Sequence, residues 1–198
     1  MRLIFITLFI FLISGCSTST TSVAEYKIAI NAVKPNSLSS GCQKKSLKVS
    51  EAFSSNSLMS LKMNYIQDKS KIYSYSQAQW NNSPNKEISS QIVKALRESE
   101  LFKTAQNIKS RSKSDLILET NIEDFMQYFS KDLTSSYVNV VISLTLIDAS
   151  SSEVLATKTF SVKRDVETLD ASGGVESLSL ALEDALSQGL EFLNEVCK

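Results

Sequence analysis

The stretch YVNVVISLTLIDASSSEVLATKTFSV, residues 137–162, decides the fold. Val138, Val140, Ile142, Leu144 and Leu146 alternate with Tyr137, Asn139, Val141, Ser143 and Thr145. A side-chain period of two belongs to a strand with one buried face. The run DASSSE breaks the alternation, and VLATKTFSVKRDV resumes it, so the spacing predicts two antiparallel strands joined by a turn. Upstream, DLILETNIEDFMQYF (Asp115 to Phe129) carries Leu116, Leu118 and Ile122 facing one way at its start and predicts a third strand. The three make an antiparallel meander with one buried face, which requires a second layer to cover it.

Two helical patterns supply that layer. In SPNKEISSQIVKALRESELF, Ser83 suits the N-cap, Pro84 the first helical position, and Glu87 the positive end of the dipole. Ile88, Ile92, Ala95 and Leu96 then share one face. At the other end of the chain, Val175, Leu178, Leu182, Ala185, Leu186, Leu190 and Leu193 form a helical stripe from Val175 to Val196, with Glu176, Glu183, Asp184 and Glu191 opposite. Gly173-Gly174 reads as the loop before it. Further strands are expected at EYKIAINA (Glu25 to Ala32), SLKVSEAF, Leu58 to Ile66, and KIYSYSQ, the last two paired across the turn QDKS. Pro35 and Gly41 mark an intervening loop. The expected fold is a single α+β domain over residues 25–198, a mostly antiparallel sheet packed by two amphipathic helices.

The first residues read differently. Arg2 precedes an apolar run, Leu3 to Ile13, broken only by Thr7 and followed by the small residues Ser14 and Gly15. A spanning helix needs about 20 apolar residues, so this run reads as an export signal over residues 1–15. Ile13-Ser14-Gly15-Cys16 resembles a bacterial lipobox, in which small residues admit a peptidase groove and the thiol takes a diacylglyceryl group. Cys16 then opens the mature chain and carries acyl chains, each buried CH₂ worth roughly 0.8 kcal/mol of membrane affinity. The alternative is an ordinary secretory signal with a chance cysteine. Residues 16–24, rich in Ser and Thr, form a polar tether. Position 17 is Ser and not the Asp that holds lipoproteins in the inner membrane, which points to the outer membrane facing the periplasm, the inner membrane being the alternative.

Composition excludes several classes. Lys plus Arg and Asp plus Glu both number 21 among 198 residues, without the basic excess of a nucleic-acid binder. The chain has no histidine, hence neither the commonest general base nor the commonest zinc ligand. No nucleophile elbow, phosphate loop or dinucleotide fingerprint occurs. Glu123 and Asp124, adjacent in NIEDF, are expected on opposite strand faces, as solvated charges and not a carboxylate dyad. No catalytic residue, metal or cofactor is assigned, and the chain reads as a non-enzyme. Cys42 and Cys197 would lie in an oxidising compartment and read as a disulfide pair, two separate thiols being the alternative. Trp80 either packs against the start of the first helix or, with Pro84, contacts a partner or a lipid surface.

The order of these features resembles the ABC-type transport auxiliary lipoproteins, the family that includes paraquat-inducible protein C. The positions carrying the resemblance are Tyr73, Tyr75, Trp80, Pro84, Leu96, Asp115, Leu116, Asp148, Val154 and Phe160, within residues 45 to 195. The turn after Asp148 has serines where that family has Gly. The resemblance implies a non-catalytic accessory whose partners are a periplasmic MCE-domain protein and its ABC permease and ATPase, moving lipids between the inner and outer membranes. An outer-membrane assembly or scaffold lipoprotein is the alternative.

Overall fold

A computed structural model describes residues 22–35 and 37–198. Among these, nine strands form one mixed sheet: β1 (Ala24–Tyr26), β2 (Ser46–Val49), β3 (Phe53–Ser54), β4 (Lys62–Gln67), β5 (Lys71–Trp80), β6 (Thr104–Asn107), β7 (Leu116–Phe129), β8 (Ser136–Asp148) and β9 (Val154–Asp165). Two α-helices, α1 (Pro84–Glu98) and α2 (Ala171–Val196), and a short 3-10 turn, Asn56–Met59, complete the described fold. The signal, Cys16 and the tether as far as residue 21 lie outside the described residues.

The meander is β7-β8-β9, antiparallel throughout. Its inner face buries Leu116, Leu118, Ile122, Val138, Val140, Ile142, Leu144, Leu146 and Phe160. Its outer face is laced by hydroxyls, Ser143 to Thr159 at 2.6 Å and Thr157 to Thr145 at 3.1 Å. β7 is the spine. Its free side takes β2, β3 and β4 in succession along its length, all parallel to it. From β4 the sheet continues antiparallel to β5 and then parallel to β1; from β2 it continues parallel to β6. The expected mostly antiparallel sheet is therefore a mixed one. Parallel strands need a crossover between them, and here α1 and the loops supply it.

Both helices cover the inner face. α1 turns Ile88, Ile92, Ala95 and Leu96 inward, and α2 its whole apolar stripe. Pro84 occupies the first turn of α1 as expected. Gly173 and Gly174 lie inside α2, not before it: Asp170 caps the helix by accepting from the Gly173 N–H at 2.9 Å. A Cβ at Gly174 would collide with the Gln127 carboxamide, so glycine is what lets the helix start press onto β7.

The alternation at Glu25 to Ala32 is real but belongs to the sheet only as far as Tyr26. Beyond it the chain leaves the sheet and lies against both helices, burying Ile28, Ile30 and Val33. Gln91 of α1 donates to the Ile28 carbonyl at 3.4 Å, and Glu183 of α2 accepts from the Asn31 N–H at 2.9 Å. Further along, the Ser39 N–H meets Asn194 at 2.7 Å. A strap thus follows α2 to its last turn, where Cys42 is bonded to Cys197, their Cα atoms 5.3 Å apart. Gly41 sits so close to the Cys197 carbonyl that no Cβ would fit.

Candidate docking surface

The two ends of the sheet differ. At one end lie the β4–β5 turn (residues 68–70), the β7–β8 turn (130–135) and the β9–α2 connection (166–170). Hydrogen bonds join the three: the Asp68 N–H donates to the Phe129 carbonyl at 3.3 Å, Gln67 Nε2 to the Lys131 carbonyl at 3.0 Å, and the Val166 N–H to the Ser136 carbonyl at 3.0 Å. Beneath them Tyr65 packs on Tyr73, Tyr75 and Phe129, with ring centroids 5.6, 4.8 and 5.2 Å away. Tyr75 donates to Gln127 Oε1 at 2.9 Å, and Gln127 Nε2 donates to Ser136 Oγ at 3.0 Å. Burial, then the neighbouring Tyr65 and Asp170, pushes the Tyr75 phenol well above its ordinary range, so it stays a donor.

The turns, and the start of β5 beside them, keep apolar side chains in water. Ile72, Tyr73, Leu133 and Leu169 are all exposed. Leu133 also holds the left-handed conformation, φ 58°, which is costly for a leucine. A cleft between the first two turns is lined by Asp68, Lys69, Tyr128, Phe129, Lys131 and Tyr137. Sequence reasoning gave Leu133 and Leu169 no role. Their signal was an apolar residue inside a turn cluster, as in KDLTSS and VETLDAS.

On the outer face, Glu123 and Asp124 correct the expectation of opposite directions. A register shift between Ile122 and Asp124 marks a bulge, and a bulge resets the alternation. Glu123 accepts from the Ser143 hydroxyl, and Asp124 accepts from Tyr128 at 2.6 Å and from Asn139 at 2.8 Å. Both carboxylates thus share the outer face, each already engaged. Burial and the hydrogen bond to Asp124 raise the Tyr128 phenol above its ordinary range.

The expected contact residues lie inside. Trp80 is 4% exposed and packs 6.1 Å from Phe125, and Pro84 is buried in the first turn of α1. Their surface is already covered by the core, so the packing alternative describes them. Between α1, α2 and the sheet, an apolar void of ≈ 10 Å³ lined by Ile92, Leu118, Leu144 and Leu186 has room for no more than about one water. Among the described residues, no group of three His, Cys, Asp or Glu is placed to hold a metal ion, and no helix is long and apolar enough to cross a membrane.

The outer edge of β9 is the other notable surface. Among the described residues β9 pairs with β8 alone, and its second side has no strand over Val154–Asp165. Two of its lysines fold back onto rings. Lys158 lies 5.8 Å from the Phe160 centroid, and Lys163 lies 3.7 Å from that of Tyr137. Arg164 donates twice to Asp184 of α2, at 2.7 and 3.0 Å, and fixes the strand to the helix layer.

No family model matches the chain, and no curated protein matches it. Solved structures match in fold. A Xanthomonas campestris protein described under DUF330 superposes with a TM-score of 0.78 at 18% identity, over 88% of this chain and 96% of that one. A structure described as an uncharacterized protein gives 0.66 at 12% identity, over 87% and 99%. These likenesses are of fold alone. They correct the family reading: the assignment to the ABC-type transport auxiliary lipoproteins is replaced by a fold likeness to the DUF330 protein. The reason is visible in the positions that carried it. Tyr75 and Trp80 pack on the core, Pro84 starts α1, and Leu96, Leu116 and Phe160 are core residues. Such positions report how the chain packs, not what it serves.

Proposed function

We propose that this protein is an exported lipoprotein of the bacterial cell envelope, anchored through Cys16, that performs no chemistry and works by holding a partner at the membrane. The lipobox-like ISGC supports the anchor. The observation that carries the docking half is β9, a twelve-residue edge strand without a partner on its outer side among the described residues. An edge of that length can accept a strand through main-chain hydrogen bonds and needs no side-chain motif. The folded-back lysines suit an edge kept from indiscriminate pairing, since charged side chains on an edge discourage it. The filled seam beneath the helices favours an accessory over a carrier, because no chamber there would take an acyl chain.

The finer form of the proposal names the partner and the side: a periplasmic MCE-domain protein with its ABC permease and ATPase, met at the outer membrane. Affinity purification from detergent-solubilised envelopes tests it. Recovery of the MCE-domain protein together with its permease supports the finer reading. Recovery of outer-membrane assembly components in their place overturns the finer reading and keeps the docking role. Recovery of the lipoprotein alone, after in-cell crosslinking, counts against docking altogether.

A further inference from the structure

The direction of β1 orients the domain on its membrane. β1 is parallel to β5, with Ala24 opposite Ala78 and Tyr26 opposite Trp80. The chain therefore reaches Ala24 from the side on which β5 begins, the end that holds the three turns. From Ala78 back to Lys71 is seven strand steps, about 23 Å. The chain from Cys16 to Ala24 spans at most on the order of 25 Å when extended. An anchor at Cys16 thus has just enough chain to reach the level of Lys71, where β5 begins, when that end points at the bilayer.

That end also carries the chemistry of an interfacial contact. Ile72 is 63% exposed, Leu133 48%, Leu169 43% and Tyr73 43%; Val154 and Leu155 at the opposite end are exposed as well, at 61% and 46%, so the direction of β1 and not exposure chooses the end. Leu133 is held out in a left-handed backbone that a leucine occupies only at a cost. Tyrosine with an apolar body and a polar tip suits the headgroup boundary. The charges around these side chains have both signs, Lys69, Lys71 and Lys131 against Asp68, Asp132, Glu167 and Asp170, and Lys71 already pairs with Asp68 at 3.7 Å. Attraction to an anionic surface is therefore not the driving term.

We infer that the turn end is a bilayer-docking surface: Ile72, Tyr73, Leu133 and Leu169 enter the phospholipid interface while the short tether holds the domain upright over its own anchor. The inference rests on the anchored reading. It sets the orientation of the domain, with the β8–β9 turn pointing away from the membrane and the β9 edge running along the membrane normal.

The test uses the mature lipidated protein in vesicles of phosphatidylethanolamine and phosphatidylglycerol with brominated acyl chains. Two tryptophan reporters are compared, Ile72→Trp at the turn end and Ser151→Trp at the opposite end, over the common background of buried Trp80. Flotation with the vesicles is measured alongside. The expected result is that Ile72→Trp loses most of its emission and shifts to the blue while Ser151→Trp is unchanged. Adding Leu133→Ser and Leu169→Ser to the Ile72→Trp form should restore much of the emission. Protein that floats but shows equal quenching at both reporters overturns the docking inference and leaves the anchor standing. Protein that does not float overturns the anchor and the inference with it. Loss of the quenching in high salt also overturns it, since an apolar contact does not weaken by screening.

Discussion

Ser152 holds φ 61° in the turn between β8 and β9, a left-handed conformation that a side chain bearing Cβ adopts at a cost. Ser152→Gly should raise stability by about 0.5–1 kcal/mol, the relief of that strain less the extra entropy of an unfolded glycine; urea unfolding with an unchanged slope would measure it. The same turn is organised by Asp148. Its carboxyl is held down to about 2, first by the Ser150 hydroxyl and then by the Ser151 and Ser150 N–H groups. Hydrogen bonds from serine also hold the carboxyls of Asp115 and Asp132 below the usual range, from Ser46 and Ser130 respectively. A carboxyl whose folded-state value is depressed contributes stability above its unfolded value, and loses it as pH falls through the folded one. The melting temperature should therefore fall as pH drops from about 4 toward about 2. Asp148→Asn should flatten that part of the profile. An unaltered profile in the variant would show that Asp148 contributes nothing to acid sensitivity.

At the scale of elements, how much could be read from the chain depended on what each pattern reports. The meander and both helices were legible because each buries one face of a regular repeat: Val138 to Leu146 by twos, Leu182 to Leu193 by helical turns. Alternation reports burial, however, and not hydrogen bonding. Ile28 and Ile30 alternate as strand residues do, yet they pack against helices. The parallel pairings of β7 with β2, β3 and β4 were not legible, because strand direction leaves no mark on composition. β6, four residues long, is shorter than any reliable period. Gly173 and Gly174 looked like a break because glycine disfavours helices; only the proximity of Thr168 and Gln127 explains them. The exposed apolar turn residues were written in the sequence, but no periodic pattern draws attention to them.

Two expectations belong to the elements themselves. In the domain without a partner, amides of β9 that face away from β8 should exchange with solvent quickly while those of β8 are protected. Uniform protection along β9 would mean that its edge is already covered. Reduction of the Cys42–Cys197 bond should lower the melting temperature and speed exchange over the strap, residues 28–35 and 37–42. The chain-entropy limit for so long a loop is roughly 5 kcal/mol. The hydrogen bonds of the strap to Gln91, Glu183 and Asn194 remain when the bond is opened, so local loosening rather than collapse is expected.

For the whole molecule, the layers, the strap and the turn end fit one picture of a rigid spacer. The helices and the inner face make a filled core, and substitution of a fully buried residue such as Leu182→Ala should cost about 2–5 kcal/mol. Among the described residues, the surfaces this account uses are the outer edge of β9 and the apolar side chains of the turn end, and both suit contact more than chemistry. The proposed role is placement: a lipid anchor on one side, a partner strand on the other, and a stiff domain between them. Placement makes the anchor indispensable even though the described fold does not depend on it. The most direct measurement compares the wild-type protein with an exported Cys16→Ala form in cells lacking the native copy, scoring rescue of whatever envelope defect the loss produces at matched protein levels. The expected result is rescue by the lipidated protein and failure of the soluble form, although the latter folds and reaches the periplasm. Full rescue by the soluble form would contradict a role that depends on being held at the membrane.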